Sequence, residues 1–326
     1  MAKPRIFVTR RIPEDGLARL QEICQVDLWD SELPPGPAKL LEHVVEKEAI
    51  LSLLTDMIDA IVMDAAGPGL KVISNCAVGV DNIDLDEATR RGIPVGHTPG
   101  VLTDTTADFA FALLLAAGRR IVEADRFTRA GQWKTWGLTQ LLGQDLSGAT
   151  LGILGFGRIG RGIAKRALGF EMRVLYYDPS AEEDEYARQV NAHQVDLDTL
   201  LSEADFISIH TPLNESTYHL IDRQAFAKMK STAVLVNTAR GPVVDSAALY
   251  EALKSGVIRF AALDVTELEP IPQDDPLLEL DNLIITPHIA SASVETRGKM
   301  VRMAIENLLA GLQGKPLPHC ANPDVY

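Results

Sequence analysis

Too few cysteines are present for a disulfide framework or a thiolate metal site: Cys24, Cys76 and Cys320 are odd in number, far apart and free of Cys-x-x-Cys spacing. No apolar run approaches the ~20 residues that a membrane helix needs; the longest strongly apolar one is Phe109–Ala117. The N-terminus holds no secretory signal either. Ile6-Phe7-Val8-Thr9 is bracketed by Lys3, Arg5, Arg10 and Arg11, well short of an apolar core of ~7–15 residues. These absences make the reducing cytoplasm the expected location, with no membrane partner. Cationic charge is scarce as well: 31 Lys and Arg stand against 45 Asp and Glu, a formal net charge of -14. Such a field repels a nucleic-acid backbone, so no nucleic-acid partner is expected, and an anionic small molecule needs a local cationic anchor.

What is present is an ordinary globular balance, with 46% apolar and 23% charged residues over 326 positions. At roughly 150 residues per domain that length suggests two domains. Short β-branched runs alternate with amphipathic stretches, the pattern of βαβ units on a parallel sheet. Strands are expected at Arg5–Thr9, Ile61–Val62, Val72–Asn75 and Val95–His97, with helices at Asp15–Gln21, Leu40–Leu53 and Asp84–Arg91. A helix capped by Thr103 or Asp104 and running to Arg120 is apolar on nearly every face, so it is expected to be buried. Phe127–Gln144, rich in Gly, Trp and polar residues, reads as an excursion from the body. A second βαβ series supplies six strands, Thr150–Leu154, Arg173–Asp178, Phe206–His210, Ala233–Asn237, Phe260–Leu263 and Leu283–Thr286, as a doubly wound nucleotide-binding domain requires. A last amphipathic helix, Ser293–Leu312, is expected to return to the first domain and make it discontinuous.

The sharpest motif is Gly155-Phe156-Gly157-Arg158-Ile159-Gly160, between the apolar run Leu151–Leu154 and a segment able to form a helix. In a dinucleotide fingerprint Gly155 permits the tight turn, Gly157 lets the backbone approach a pyrophosphate, and Gly160 lets helix pack on strand. The helix N-terminus then offers free N–H groups to the phosphates. Asp178 lies 18 positions beyond Gly160 at the end of the next strand. A carboxylate there suits both ribose hydroxyls and repels a 2′-phosphate, so NAD(H) is expected over NADP(H).

Four further stretches accompany that loop in order: Asn237-Thr238-Ala239-Arg240-Gly241, Leu263-Asp264-Val265, Glu269-Pro270, and Thr286-Pro287-His288-Ile289-Ala290. Together they resemble the signatures of the D-isomer-specific 2-hydroxyacid dehydrogenase family, across essentially the whole chain. Asn75–Asp84, Trp133–Trp136 and Leu141-Leu142-Gly143 bring it nearest to the glyoxylate/hydroxypyruvate reductases within that family. The resemblance implies an α/β fold of two Rossmann-like domains, one flavodoxin-like and one a doubly wound parallel sheet, around a cleft. The substrate-binding domain would comprise residues 1–99 with 290–326, and the dinucleotide-binding domain residues 100–289.

The chemistry asks for these residue types on its own terms. Reducing a 2-oxo acid places hydride on a carbonyl carbon while a proton reaches the oxygen, and His is the side chain best poised to supply it near neutral pH. In family terms His288 is that acid/base. Glu269 would orient its imidazole and favour the protonated form. Arg240 offers a planar fork for a carboxylate and can polarise the carbonyl, which makes it the required cationic anchor. The Val78 and Gly79 amides are further candidates for the substrate carboxylate, since Gly79 lets the main chain come close. Val78 stands where the family's phosphite dehydrogenases carry a lysine. The resemblance places Asp264 near the nicotinamide carboxamide and implies further cofactor contacts from Thr106, His210, Thr211, Pro212, Thr217, Thr238, Ala239 and Ala290, besides Arg240 and His288. No metal is implied. His43, His97, His193, His219 and His319 have no comparable context and read as solvated or capping residues, and Cys76 reads as a packed thiol.

The expected activity is NAD(H)-dependent reduction of glyoxylate or hydroxypyruvate. The alternatives are another dehydrogenase of the family, of phosphoglycerate or lactate type, or a NAD-sensing, corepressor-like binding protein. Against them stand an intact catalytic trio, short termini, and no appended domain after the last helix. The family resemblance also implies a homodimer built on Asp104–Arg120 and Phe127–Gln144, with Trp133 or Trp136 reaching toward the partner's cleft. Closure about hinges near Pro99-Gly100 and Ile289–Ser291 would exclude water.

Overall fold

The computed structural model describes residues 2–180 and 185–326. The chain forms two units, Met1–Leu102 with Ser293–Tyr326, and Thr103–Ala292. The changeovers follow Leu102 and Ala292, three residues beyond the 99 and 289 expected from the sequence.

In the first unit β1 (Arg5–Val8), β2 (Gln25–Leu28), β3 (Ala49–Ser52), β4 (Val72–Asn75) and β5 (Val95–Gly96) pair in parallel in the order β2-β1-β3-β4-β5. That is the flavodoxin-like order. The central β3 and β4 are buried at every residue, because helices cover both faces of a parallel sheet. The helix Val294–Leu312, capped by Ser293, lies on them, and Ser74 Oγ donates to the Ala304 carbonyl at 2.7 Å.

Three expectations for this unit need correction. Ile61–Val62 is not a strand but part of the helix Ala60–Ala66, whose first turn Asp59 caps by accepting from the Val62 amide at 3.0 Å. Two β-branched residues in a short apolar run cannot separate buried helix from strand. The helix expected over Leu40–Leu53 is Gly36–Val44, after which the chain turns through Glu46 at φ 57 and becomes β3. The edge strand β2 has no counterpart among the expected strands, since its polar Gln25 and Asp27 dilute the apolar signal.

The second unit holds β6 (Thr150–Leu154), β7 (Arg173–Tyr177), β8 (Ala192–Gln194), β9 (Phe206–Ile209), β10 (Val234–Asn237), β11 (Phe260–Leu263) and β12 (Leu283–Ile285). Their order, β12-β11-β10-β9-β6-β7-β8, is doubly wound, with the reversal between β6 and β9. The short edge strand β8 is the one the sequence does not announce. The apolar helix ends at Gly118 rather than Arg120. Arg120 takes φ 52, and a separate amphipathic helix, Ile121–Arg129, runs into the stretch expected to leave the body. Among the described residues no helix is long and apolar enough to cross a membrane.

The register of this sheet prepares the site. Tyr177, Leu154, Ile209, Asn237, Leu263 and Ile285 are register partners in a single row across β7, β6, β9, β10, β11 and β12. Asp178, Gly155, His210, Thr238, Asp264 and Thr286 are therefore the first residues beyond one carboxyl edge, where open α/β sheets bind ligands.

Candidate active site

At the switch point the glycine loop turns sharply. Gly155 takes φ 89, and a side chain there would meet the His210 backbone at 2.7 Å. A Cβ on Gly160 would run into the Gly155 carbonyl, so loop and helix are in direct contact. Gly157 differs: it is exposed, and nothing lies within 4 Å of where its Cβ would be. It starts the helix Arg158–Ala167 without a side-chain cap, leaving the first-turn amides of Arg158, Ile159 and Gly160 uncapped by any side chain among the described residues. Arg158 is exposed and, among the described residues, has no ion-pair partner. Phe156 contributes only backbone, for its ring is buried against Tyr176 at 4.0 Å. Its amide donates to Asp178 Oδ2 at 2.8 Å, while Asp178 Oδ1 accepts from the amide and hydroxyl of Ser180 at 2.9 and 2.7 Å. The candidate ribose acid is thus bound directly to the candidate phosphate loop.

Along the same edge lie buried polar atoms with no partner among the described residues: His210 Nδ1, Thr211 Oγ1 and Thr238 Oγ1. Buried groups of this kind are costly unless something bonds them. His210 uses Nε2 with Ser208 Oγ at 2.8 Å, and burial pushes its ionisation down to about 3, so the ring is neutral. Orphaned donors and acceptors beside an open glycine turn fit a bound dinucleotide. Pro212 is exposed and accepts from Thr217 Oγ1 at 2.6 Å, so the Thr217 hydroxyl shapes its own turn. Thr106 is buried in the helix Thr103–Gly118.

Next on the row, Asn237 pins the turn that carries Arg240. Its Nδ2 donates to the Arg240 carbonyl at 2.8 Å and its Oδ1 accepts from the Ala239 amide at 3.0 Å. Arg240 is half-buried and donates from a guanidinium nitrogen to the Ala239 carbonyl at 2.8 Å. A Cβ on Gly241 would collide with the Thr266 carbonyl, so this turn packs directly on the loop leading to Glu269. In that loop Glu269 Oε1 accepts from the Thr266 amide at 3.2 Å, while Oε2 accepts Nδ1–H of His288 at 2.8 Å. With Nδ1 committed, Nε2 is the nitrogen left to carry a transferable proton.

His288 takes φ 54, a conformation that L residues rarely adopt. It is over-determined by Asp264. The His288 amide donates to the Asp264 carbonyl at 2.9 Å, and the Asp264 carboxylate, 1% exposed, accepts from Thr286 Oγ1 at 2.6 Å and from the Ile289 and Ala290 amides at 2.9 and 2.7 Å. Asp264 therefore acts on the shape of the histidine loop, a role its place in the motif does not announce.

Val78 and Gly79 belong to the first unit, in the loop after β4, and both are half-buried. Cys76 beside them is buried, which pushes its thiol up to about 12 and keeps it protonated. Three histidines read as solvated or capping have defined partners instead. His43 Nδ1 meets Asp27 at 3.1 Å, His219 Nε2 bonds Glu267 at 2.8 Å, and His97 Nδ1 bonds the Val78 carbonyl at 3.0 Å. The His219–Glu267 pair ties the loop before Glu269 to a segment whose own His219 amide donates to the Pro242 carbonyl at 2.8 Å. In the excursion, Trp133, Trp136 and Leu138 are 62%, 76% and 79% exposed, and the chain rejoins the body where the Gln144 amide donates to the Gly118 carbonyl at 2.8 Å. Among the described residues no group of three or more His, Cys, Asp or Glu could hold a metal ion.

The chain is similar to known proteins in sequence and in fold. The family described as D-isomer specific 2-hydroxyacid dehydrogenase, NAD binding domain, matches residues 111–290. A glyoxylate reductase from Korarchaeum cryptofilum is 55% identical over 324 residues, 99% of this chain and 97% of that protein. One from Thermofilum pendens is 52% identical over 327 residues, covering 100% and 96%. Among solved structures, a protein from Thermus thermophilus matches with a TM-score of 0.91 at 47% identity, over 97% of this chain and 99% of that one.

Proposed function

The chain belongs to the D-isomer-specific 2-hydroxyacid dehydrogenases, NAD-dependent enzymes, and from that premise we propose that it reduces glyoxylate or hydroxypyruvate to the 2-hydroxy acid with NADH. The observation that carries this reading is the His288–Glu269 pair, bonded at 2.8 Å on the same sheet edge as the glycine loop. The cofactor, when bound, supplies hydride. The Gly157–Gly160 turn would hold its pyrophosphate and Asp178 its ribose, and the orphaned atoms of His210, Thr211 and Thr238 would be available to the remainder. Arg240 takes the substrate carboxylate and polarises the carbonyl; in the first unit the Val78 and Gly79 amides are a further candidate for a carboxylate. For reduction His288 is the imidazolium, with Nδ1–H on Glu269 and the Nε2 proton given to the developing alkoxide; in oxidation Glu269 holds the neutral ring as the Nδ1–H tautomer, whose bare Nε2 takes the proton back. Substrates this small offer little side chain to grip, so recognition falls on the carboxylate and carbonyl.

The enzyme acts as a homodimer, in which the exposed Trp133 and Trp136 of the excursion are covered by a second copy. Light scattering should give twice the 35.5 kDa of one chain, and the single-chain mass would refute the assembly. The function is tested by kcat/KM across glyoxylate, hydroxypyruvate, pyruvate and phosphohydroxypyruvate with NADH and NADPH. Glyoxylate or hydroxypyruvate with NADH should lead. A lead for either other acid, or for NADPH, would overturn the assignment.

A further inference from the structure

We propose that His97 is a positioning residue that orients the Gly79 amide toward the substrate carboxylate, an inference that rests on the reading of Val78–Gly79 as a carboxylate cradle. In the loop after β4, three consecutive carbonyls are tied back to the first unit. The Ala77 carbonyl accepts from the Thr98 amide at 2.8 Å, the Val78 carbonyl from His97 Nδ1 at 3.0 Å, and the Gly79 carbonyl from Asn75 Nδ2 at 3.0 Å. A trans peptide is planar, so its N–H points opposite its carbonyl. Tying each oxygen therefore turns the N–H of the same peptide, that of Val78, Gly79 or Val80, away from its tie. Among the described residues the Val78 and Gly79 amides find no acceptor, so both remain as donors for an anion.

The imidazole is placed for this task from both directions. The His97 amide donates to the His319 carbonyl at 3.2 Å, and its own carbonyl accepts from Asn307 Nδ2 at 2.9 Å. A carbonyl can only accept, so Nδ1 carries the hydrogen and the tautomer is set. Of the three ties, the His97 one controls the Val78–Gly79 peptide and thus the direction of the Gly79 N–H. The Thr98 tie is main chain, and Asn75 is also held by Ser52 Oγ at 3.1 Å and bonds Asn82 Oδ1 at 3.0 Å, so those two have no equivalent freedom.

The test compares wild type with His97→Ala, His97→Phe and His97→Asn. The first two remove the donor at different bulk; asparagine places Nδ2–H where Nδ1–H was. Steady-state kinetics with glyoxylate and NADH are paired with inhibition by oxamate, a carboxylate that cannot be reduced. His97→Ala and His97→Phe should raise KM for glyoxylate and Ki for oxamate together by about tenfold, while kcat and KM for NADH stay within about twofold. His97→Asn should recover most of the loss. An unmoved KM in the alanine and phenylalanine variants, an asparagine variant as impaired as alanine, or a parallel loss of kcat and NADH binding would each overturn the inference. If wild type reduced no 2-oxo acid, the proposed function would fall and this inference with it; wild-type turnover with an unmoved alanine variant overturns the inference alone.

Discussion

Substituting Gly157 separates ligand binding from folding. Its backbone, at φ -73 and ψ -162, is open to any L residue, and nothing lies within 4 Å of the Cβ position. Gly157→Ala therefore leaves the folded protein unstrained and trims the freedom of the unfolded chain, so thermal stability should hold or rise by about 0.4–1 kcal/mol. The added methyl instead fills the space through which a pyrophosphate reaches the first-turn amides. Each charge-assisted hydrogen bond lost is worth about 1.5–3 kcal/mol, and tenfold in affinity corresponds to about 1.4 kcal/mol. The Kd for NADH should rise roughly 10- to 150-fold, read by calorimetric titration, while scanning calorimetry shows no fall in Tm. Gly160→Ala is the contrast: its Cβ strikes the Gly155 carbonyl, so both Tm and binding should fall. A Gly157→Ala protein that bound NADH as tightly as wild type would show that no phosphate approaches this turn.

Removing the proposed proton donor with His288→Asn should lower kcat by about 10²–10⁴-fold with NADH binding intact, whereas Glu269→Gln, which keeps an acceptor for Nδ1–H, should lose less than Glu269→Ala; equal losses would argue that Glu269 does not work through the ring. Asp178→Asn keeps the bond to the Phe156 amide but removes the charge, so the NADPH-to-NADH ratio of kcat/KM should climb about tenfold, and a static ratio would remove Asp178 from the ribose site. Burial lowers the folded-state ionisation of His210 from 6.5 to about 3. Between those values the unfolded chain binds the extra proton, so stability rises with pH across the window and is lost as pH falls through it. His210→Gln should flatten the Tm-against-pH curve there, and parallel curves would refute the assignment.

Most of the second unit can be read from the chain because its chemistry is local. The phosphate loop requires three glycines within six positions, and a parallel strand buried on both faces is a short continuous apolar run. The same rule explains the failures. Ile61–Val62 is too short for a period to show, and Leu40–Leu53 merges the end of one helix with β3, because Leu40, Leu41 and Val44 share its apolar character. Edge strands β2 and β8 carry polar residues and lose the signal. The overlooked histidines failed for a different reason. His97 acts on a carbonyl 19 positions away and His219 on a carboxylate 48 positions away. Neither partner is visible until topology brings the loops together.

The sheet register explains why the motifs can be dispersed in sequence and still converge. Each candidate residue of the second unit's strand ends lies within a few positions of the same row, so the parallel sheet assigns them one edge whatever the length of the intervening helices. An edge alone does not aim a side chain. The aim comes from short-range ties that the strands do not supply: Asn237 across the Arg240 turn, Gly241 against Thr266, and the Asp264 carboxylate gathering the amides that follow His288. The left-handed backbone of His288 costs of order 1–3 kcal/mol. Its own amide bond to the Asp264 carbonyl and the three donors on the Asp264 carboxylate offset that cost with interactions made only in this loop shape. Strain at His288 and burial of Asp264 are then two sides of one construction, which holds Nε2 steady while Nδ1 stays on Glu269.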